Sequence, residues 1–122
     1  MVFTNGDFLI VIQAIEGFCT RFRKESKLSK MLEAIISEFS DIDILKNDNI
    51  VINQAVDSRH YYSHFMHKSK KQNILDGLAL YDLTFKLRKL LICCILNFIG
   101  FDNSQINQIL NKSNSIYLIK WM

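Results

Sequence analysis

Proline is absent from the 122 residues, and glycine occurs only four times. Sheet-rich folds need these residues in their turns. Hydrophobic residues make up 49% of the chain, which is enough to bury a core and excludes a disordered protein. The sequence therefore predicts long helices joined by short loops in one domain spanning residues 1–122.

Features of secreted and membrane proteins are also missing. Residues 8–15 lack the basic leader and cleavage site of a signal peptide. The longest apolar run, residues 90–99, is much shorter than the ~20 residues that span a bilayer. We therefore expect no membrane partner. The formal charge of +3 permits an acidic partner without requiring one. Three cysteines lack disulfide-like spacing and predict reduced, buried thiols in a cytoplasmic protein: Cys19, Cys93 and Cys94.

Hydrophobic residues recur every three or four positions in five stretches, which is the spacing of amphipathic helices. The predicted fold class is all-α. Ser26 is predicted to cap the second helix, Asn73 or Asp76 to open the fourth, and Gly100 to end it. The predicted helices cover residues 7–24, about 28–39, a stretch from near 49, then 76–99 and 104–110. Residues 40–49 are predicted to form a loop with one turn at 42–45.

Residues 59–64, Arg-His-Tyr-Tyr-Ser-His, bring one cation and two imidazoles together. The planar guanidinium of Arg59 suits phosphate oxygens, and His64 can move protons near neutral pH. Together these groups can cleave RNA without a metal. Arg59 also continues the apolar face of its helix, so it needs a partner or a ligand. An ion pair with Glu16 is the structural alternative, although Glu16 could equally hold Lys86 or lie exposed.

Three features occur in a characteristic order. The first helix reads Phe8-Leu9-x-x-x-Gln13-Ala14-x-Glu16-x-Phe18, Arg59-x4-His64 follows, and a leucine-rich helix then ends in Leu-Asn-Phe-Ile-Gly-Phe-Asp at 96–102. Over residues 8–112 this pattern resembles the HEPN superfamily (higher eukaryote and prokaryote nucleotide-binding domains), and most of all the HEPN domain of ApeA-type bacterial defence proteins. The signature of that family is an Arg and a His separated by four to six residues, with a polar residue, here His60, after the Arg.

The resemblance implies a HEPN-like, up-and-down bundle of four to five helices that forms a homodimer, with the two Arg-x4-His motifs facing a shared cleft. It implies a metal-independent endoribonuclease without a cofactor, acting in anti-phage defence or as a toxin. Arg59 and His64 would be catalytic, with His60 orienting them or adding a donor. ApeA-like proteins usually carry a further domain ahead of the HEPN part, so an excised domain and a minimal version are both open.

Candidate substrate-binding residues flank the catalytic ones: Tyr61, Tyr62, Lys68, Lys70 and Lys71. The tyrosines could stack bases or pack at an interface. The lysines could attract RNA or form a solvated loop. His60, His64 and His67 have the spacing of a zinc or nickel site, but no neighbouring carboxylate completes the set, and we predict no physiological metal.

Geometry leaves one question open, because residues 59 and 64 lie about 140° apart on a regular helix. Either the helix loosens near Tyr62 and Ser63, or the two side chains converge at the dimer cleft. Two other functions also stay open. One is a non-catalytic HEPN dimerisation module that binds nucleotide, RNA or a partner protein, and the other is a helical antitoxin-like partner.

Overall fold

The computed structural model describes residues 4–64 and 73–112. Within these ranges the chain forms five α-helices and a 3-10 turn, and the predicted all-α bundle is confirmed. The elements are α1 (Asn5–Phe22), α2 (Leu28–Glu38), the 3-10 turn (Asp43–Leu45), α3 (Ile52–His64), α4 (Gly77–Ile99) and α5 (Asn103–Lys112). No helix of this part of the chain is long and apolar enough to cross a membrane.

The ends of α4 follow the capping signals in the sequence. Asp76 precedes the helix in an extended conformation. At the other end Gly100 has a φ of 126°, in the left-handed region that favours glycine, and its amide donates to the Asn97 carbonyl at 3.0 Å. Both predicted boundaries of the longest helix are thereby confirmed.

One predicted cap and one predicted helix start are wrong. The first carbonyl of α2 to accept a helical hydrogen bond is that of Lys27, which bonds the Met31 amide at 3.0 Å, so Lys27 rather than Ser26 holds the cap position. In α3 the Val51 carbonyl accepts from the Gln54 amide at 3.0 Å, so the helix begins at Ile52 rather than near Asn49. The side chains there supply no capping hydrogen bond that would mark the start.

One hydrophobic core joins the helices. α1 packs against α3 and α4, α2 packs against α1, α3 and α4, and α5 covers the 3-10 turn and α4. The apolar stripes that the sequence predicts supply this core. Its fully buried large side chains are Phe8, Ile12, Ile15, Met31, Leu32, Ile35, Phe39, Ile42, Leu80, Leu87 and Ile106.

Contacts between helices fix the direction of each one. Arg59 contacts Glu16, and Tyr62, further along α3, contacts Phe8 near the start of α1, so the two helices are antiparallel. Phe98 at the end of α4 contacts Phe22 at the end of α1. Since Tyr62 also bonds to Leu75 just before α4, helices α1 and α4 run parallel.

The bundle therefore has two distinguishable ends. The motif end holds Phe8 together with the last turns of α3, including His60, Tyr62 and His64. The aromatic end comprises Phe18, Phe22, Ile95, Phe98 and Ile99. Phe8 and Phe22 are separated by about 21 Å along α1, at 1.5 Å per residue.

Between the two ends, a lysine on α4 is buried. Lys89 is 6% exposed, and its ammonium lies 2.7 Å from Oδ2 of Asp48 in an ion pair. The ammonium also donates to the Ile44 carbonyl at 3.2 Å and lies 4.9 Å from the centre of the Phe85 ring. A buried charge requires such compensation. This ion pair, which the sequence pattern does not reveal, ties the loop that carries Asp48 to α4.

Candidate active site

Arg59 is held by two neighbours. Its Nε donates to Oε1 of Glu16 at 2.8 Å, and its Nη1 donates to Oγ of Ser63 at 2.8 Å. The side chains of Arg59 and Glu16 are 26% and 25% exposed, so the pair lies at the edge of the core. The sequence left Arg59 and Lys86 open as partners of Glu16. In the structure Glu16 pairs with Arg59, whereas Lys86 pairs with Asp82 at 2.8 Å.

The guanidinium retains donor capacity beyond these two bonds. An arginine has five N–H donors. In the described residues, the bonds to Glu16 and Ser63 occupy two of them. A quarter of the side chain is exposed, so the remaining donors are candidates for binding a phosphate.

His60 and His64 form a pair of exposed imidazoles one turn apart on α3. Their ring centres are 4.8 Å apart, with an angle of 60° between the planes. Both residues are exposed, whereas Arg59 is directed to α1. Two neighbouring imidazoles can deliver or accept protons at the same group of atoms.

The sequence left open whether α3 loosens between Arg59 and His64, and the structure answers this. Helix α3 is α-helical through Tyr62 and Ser63, so it does not loosen there. In the described part of the chain, Arg59 donates to Glu16 and Ser63 rather than to His64. A single chain therefore presents its guanidinium and its imidazole in different directions.

Tyr62 has a packing role at the motif end. Its hydroxyl donates to the Leu75 carbonyl at 2.8 Å, and its ring meets Phe8 edge-on with the centres 6.2 Å apart. Tyr61 lies beside it, with ring centres 4.9 Å apart. Of the two tyrosines predicted to bind substrate, Tyr62 thus has its ring and hydroxyl engaged within the chain. Substrate binding by either of them stays a prediction.

Lys68, Lys70, Lys71 and His67 lie outside the described residues. The described residues before and after this segment both lie at α3. The segment starts from the end of α3, and after it the Leu75 amide donates to Oγ of the buried Ser58 at 2.9 Å. Asn73 also donates to Asp57 at 3.3 Å. The sequence did not predict the role of Ser58, because its partner is 17 positions away.

Metal and thiol chemistry find no further support in the described ranges. Among those residues, no group of three or more His, Cys, Asp or Glu side chains could hold a metal ion. The three cysteines are free and buried, as predicted. Burial raises the pKa of Cys19, and it raises the pKa of Cys93 and Cys94 to about 12. Such thiols are poor nucleophiles at neutral pH.

The profile of the Apea-like HEPN family matches residues 9–105. The chain belongs to the Apea-like HEPN family. The match extends from α1 into α5 and includes the Arg59–His64 motif. No curated protein and no solved structure matched the chain significantly.

Membership identifies the chain as a HEPN module, and domains of this superfamily are often ribonucleases or components of defence systems. The position of the motif agrees with the resemblance stated above, since Arg59 and His64 both lie on α3, directly before the segment that leads into the long helix α4. Glu16, which the first-helix pattern includes, is the residue that binds Arg59.

Proposed function

We propose that this HEPN module is a metal-independent endoribonuclease that cleaves RNA in a cleft between two copies of the chain. The observation that supports this most strongly is the arrangement of α3. A guanidinium that is fixed by Glu16 but retains accessible donors lies on the same helix as two exposed imidazoles. We place the activity in the cytoplasm, in anti-phage defence or toxin action.

The reaction needs no group beyond these side chains. The 2′-hydroxyl of RNA attacks the adjacent phosphorus and loses its proton to a base. The bond to the leaving 5′-oxygen breaks as an acid protonates that oxygen. The products are a 2′,3′-cyclic phosphate and a 5′-hydroxyl. His64 transfers protons, Arg59 stabilises the charge on the phosphorane oxygens, and His60 orients His64 or adds a donor.

Two copies are proposed because one His64 cannot act as base and acid in the same step. A two-fold dimer brings two such residues to one cleft. It also resolves the divergence of Arg59 and His64 within one chain, because the guanidinium of one protomer can meet the imidazole of the other. His60 offers an alternative second imidazole, 4.8 Å from that of His64.

Substrate contacts are proposed for Tyr61, Tyr62, Lys68, Lys70 and Lys71. Support comes from charge and from chain connectivity. The lysines belong to a short segment, and the residues flanking it on both sides are held at α3. A polyanion bound near His64 would meet their positive charge.

The test is to incubate the purified protein with single-stranded RNA in EDTA and to analyse the ends of the products. Wild type should cleave RNA but not DNA, which lacks the attacking hydroxyl. His64→Ala should reduce the rate by about 10²–10⁴ without lowering the melting temperature, because His64 is exposed. A much smaller loss in His60→Ala would assign the second proton transfer to the other protomer.

The ion pair of Arg59 also favours a second candidate function, a non-catalytic dimerisation module that binds nucleotide, RNA or a partner protein. In that case Glu16 and Arg59 serve stability alone. Intact RNA with both wild type and His64→Ala, together with marked destabilisation by Arg59→Ala, would support this function over the nuclease.

A further inference from the structure

Several large apolar side chains are exposed to solvent at the aromatic end of the bundle. Phe22 is 48% exposed, Phe98 58% and Ile99 64%, and Ile95 on the same helix is 41% exposed. The rings form one cluster, with centres 4.3 Å apart for Phe22 and Phe98 and 5.9 Å for Phe18 and Phe98. Contiguous exposed apolar groups with a polar rim mark interaction sites.

The cluster lies at the opposite end of α1 from His64. Phe22 is about 21 Å along α1 from Phe8, which Tyr62 contacts, and about 9 Å from Glu16, which binds Arg59. A dimer centred on two His64 side chains has its axis at the motif end, and the charges around the aromatic end favour a different occupant.

The helices that carry the cluster are clamped together. Both terminal nitrogens of Arg23 pair with the carboxylate of Glu38 on α2, and Nη2 also donates to Oδ1 of Asn97 on α4 at 3.3 Å. The hydrogen bond to Glu38 raises the pKa of Arg23. These bonds connect the C-terminal ends of α1, α2 and α4. The relative positions of the three helix ends are therefore fixed before a partner binds.

Three cations lie on or next to the helices that carry the cluster, and we refer to Arg21, Lys24 and Arg88 as its basic rim. Arg21 lies 5.9 Å from the centre of the Phe22 ring, Lys24 follows α1, and Arg88 lies on α4 two turns before Ile95. None of these three cations forms an ion pair within residues 4–64 and 73–112. By contrast, Arg23 next to them is paired with Glu38.

The carboxylates of the chain are already engaged. Each of the twelve Asp and Glu residues makes a hydrogen bond, an ion pair or another electrostatic contact within the chain. The carboxylates of a second copy would have to give up one of these contacts to pair with the basic rim, whereas those of an acidic partner would not.

We propose that the aromatic end is a docking surface for an acidic amphipathic helix of a partner protein. Apolar side chains of that helix would cover Phe22, Phe98 and Ile99, and carboxylates on its flanks would pair with Arg21, Lys24 and Arg88. Aromatic residues and arginine are enriched at such interfaces, and an apolar helix face in a groove is a common recognition mode. Trp and Tyr, which mark membrane interfaces, are absent from the cluster.

A titration of the full chain against a defined probe tests this surface. The probe is a fluorescein-labelled helical peptide of about 18 residues, five turns, with leucines on one face and glutamates elsewhere. The control probe is the same peptide with lysine in place of each glutamate. By fluorescence anisotropy, the acidic peptide should bind at least about tenfold more tightly than the basic one.

Variants locate the binding site on the chain. Phe98→Ser should weaken binding of the acidic peptide at least about tenfold, and Arg88→Glu should remove the preference for it. Ile10→Ser is the matched control, because Ile10, on α1, is an apolar residue that is likewise exposed, at 67%, but lies outside the cluster. Circular dichroism confirms folding of each variant, and RNA cleavage by Phe98→Ser should equal that of wild type.

Other outcomes would overturn the proposal. Equal binding of both peptides, or equal loss in Phe98→Ser and Ile10→Ser, would show nonspecific adhesion. Sedimentation of a wild-type dimer that Phe98→Ser converts to a monomer would assign the surface to a second copy. Binding to phosphatidylserine vesicles that Phe98→Ser abolishes, without peptide binding, would assign it to a membrane.

Discussion

The motif end and the aromatic end of the bundle hold their exposed groups in different ways. At the motif end, polar groups are fixed by directional bonds. The Arg59 side chain donates to Glu16 and Ser63, and the backbone amide and carbonyl of Leu75 bond to the side chains of Ser58 and Tyr62. At the aromatic end, the bidentate ion pair of Arg23 with Glu38 fixes the helices, and the exposed rings contact one another without hydrogen bonds.

This difference suits two different tasks. Catalysis requires donors and acceptors at defined positions, which hydrogen bonds provide. Adhesion to a partner requires apolar area on a rigid base, with charge at its rim. If the two ends share one cooperative core, a change between them should destabilise the whole bundle, whereas a change at either end should act locally.

Removing the buried carboxylate between the ends should have the largest effect. Asp48→Ala leaves the ammonium of Lys89 buried without its counter-charge, which typically costs about 3–5 kcal/mol. Urea unfolding followed by circular dichroism should show this loss in one transition. The double variant Asp48→Ala/Lys89→Met should recover much of it. Unchanged stability of Asp48→Ala would mean that water reaches Lys89.

Alkaline pH should weaken the core next. Cys93 and Cys94 have a raised pKa of about 12 in the fold. An unfolded thiol ionises near 8.5, so the stabilising effect of the neutral thiols is complete below that pH and is lost as pH rises from 8.5 toward 12. At pH 10 the loss is about 1–2 kcal/mol for each thiol.

Urea unfolding of wild type and of Cys93→Ala/Cys94→Ala across this pH range measures the effect. The difference in stability between the two proteins should shrink as pH rises, whereas ionisation of lysines and tyrosines affects both equally. A constant difference would contradict the raised pKa values.

At the motif end, Arg59→Ala and Glu16→Ala should each lower the free energy of unfolding by about 1 kcal/mol, because the pair is only a quarter exposed but still screened by solvent. The double variant should lose little more than either single one, since both remove the same contact. His64→Ala serves as the control and should keep wild-type stability. Fully additive losses would show that Arg59 and Glu16 act independently.

The smallest expected change is at the aromatic end. Arg23→Met removes the clamp to Glu38 and Asn97 and should cost about 1 kcal/mol. Amide hydrogen exchange near the end of α4 should quicken, while exchange in α3 should not. Arg21→Met is the matched control, because Arg21 contacts a ring but forms no ion pair among the described residues. Equal exchange in both variants would argue against a clamp.

Much of the fold was predictable from local signals. The apolar spacing predicted the helices, and Gly100 correctly marked the end of α4 because few other residues adopt its positive φ. Ser26 failed as a cap signal. The helix starts one residue later, where a lysine holds the position and no side chain identifies it.

The candidate site was predictable only in part. Glu16 could be named as a partner of Arg59 because both interrupt apolar stripes, yet the sequence left Lys86 and solvent equally open. The contacts of Ser58 with Leu75 and of Lys89 with Asp48 join residues far apart in the chain. No local pattern reveals such pairs.

By itself the sequence determined that the chain is helical, which faces of the helices are buried, and that a guanidinium and two imidazoles share one helix. Those properties follow from the spacing and chemistry of neighbouring residues. Only the tertiary structure decided that Arg59 is bound by Glu16, and that the rings of α1 and α4 form one exposed cluster. These contacts depend on how helices pack, and packing is set by the whole core rather than by any one segment.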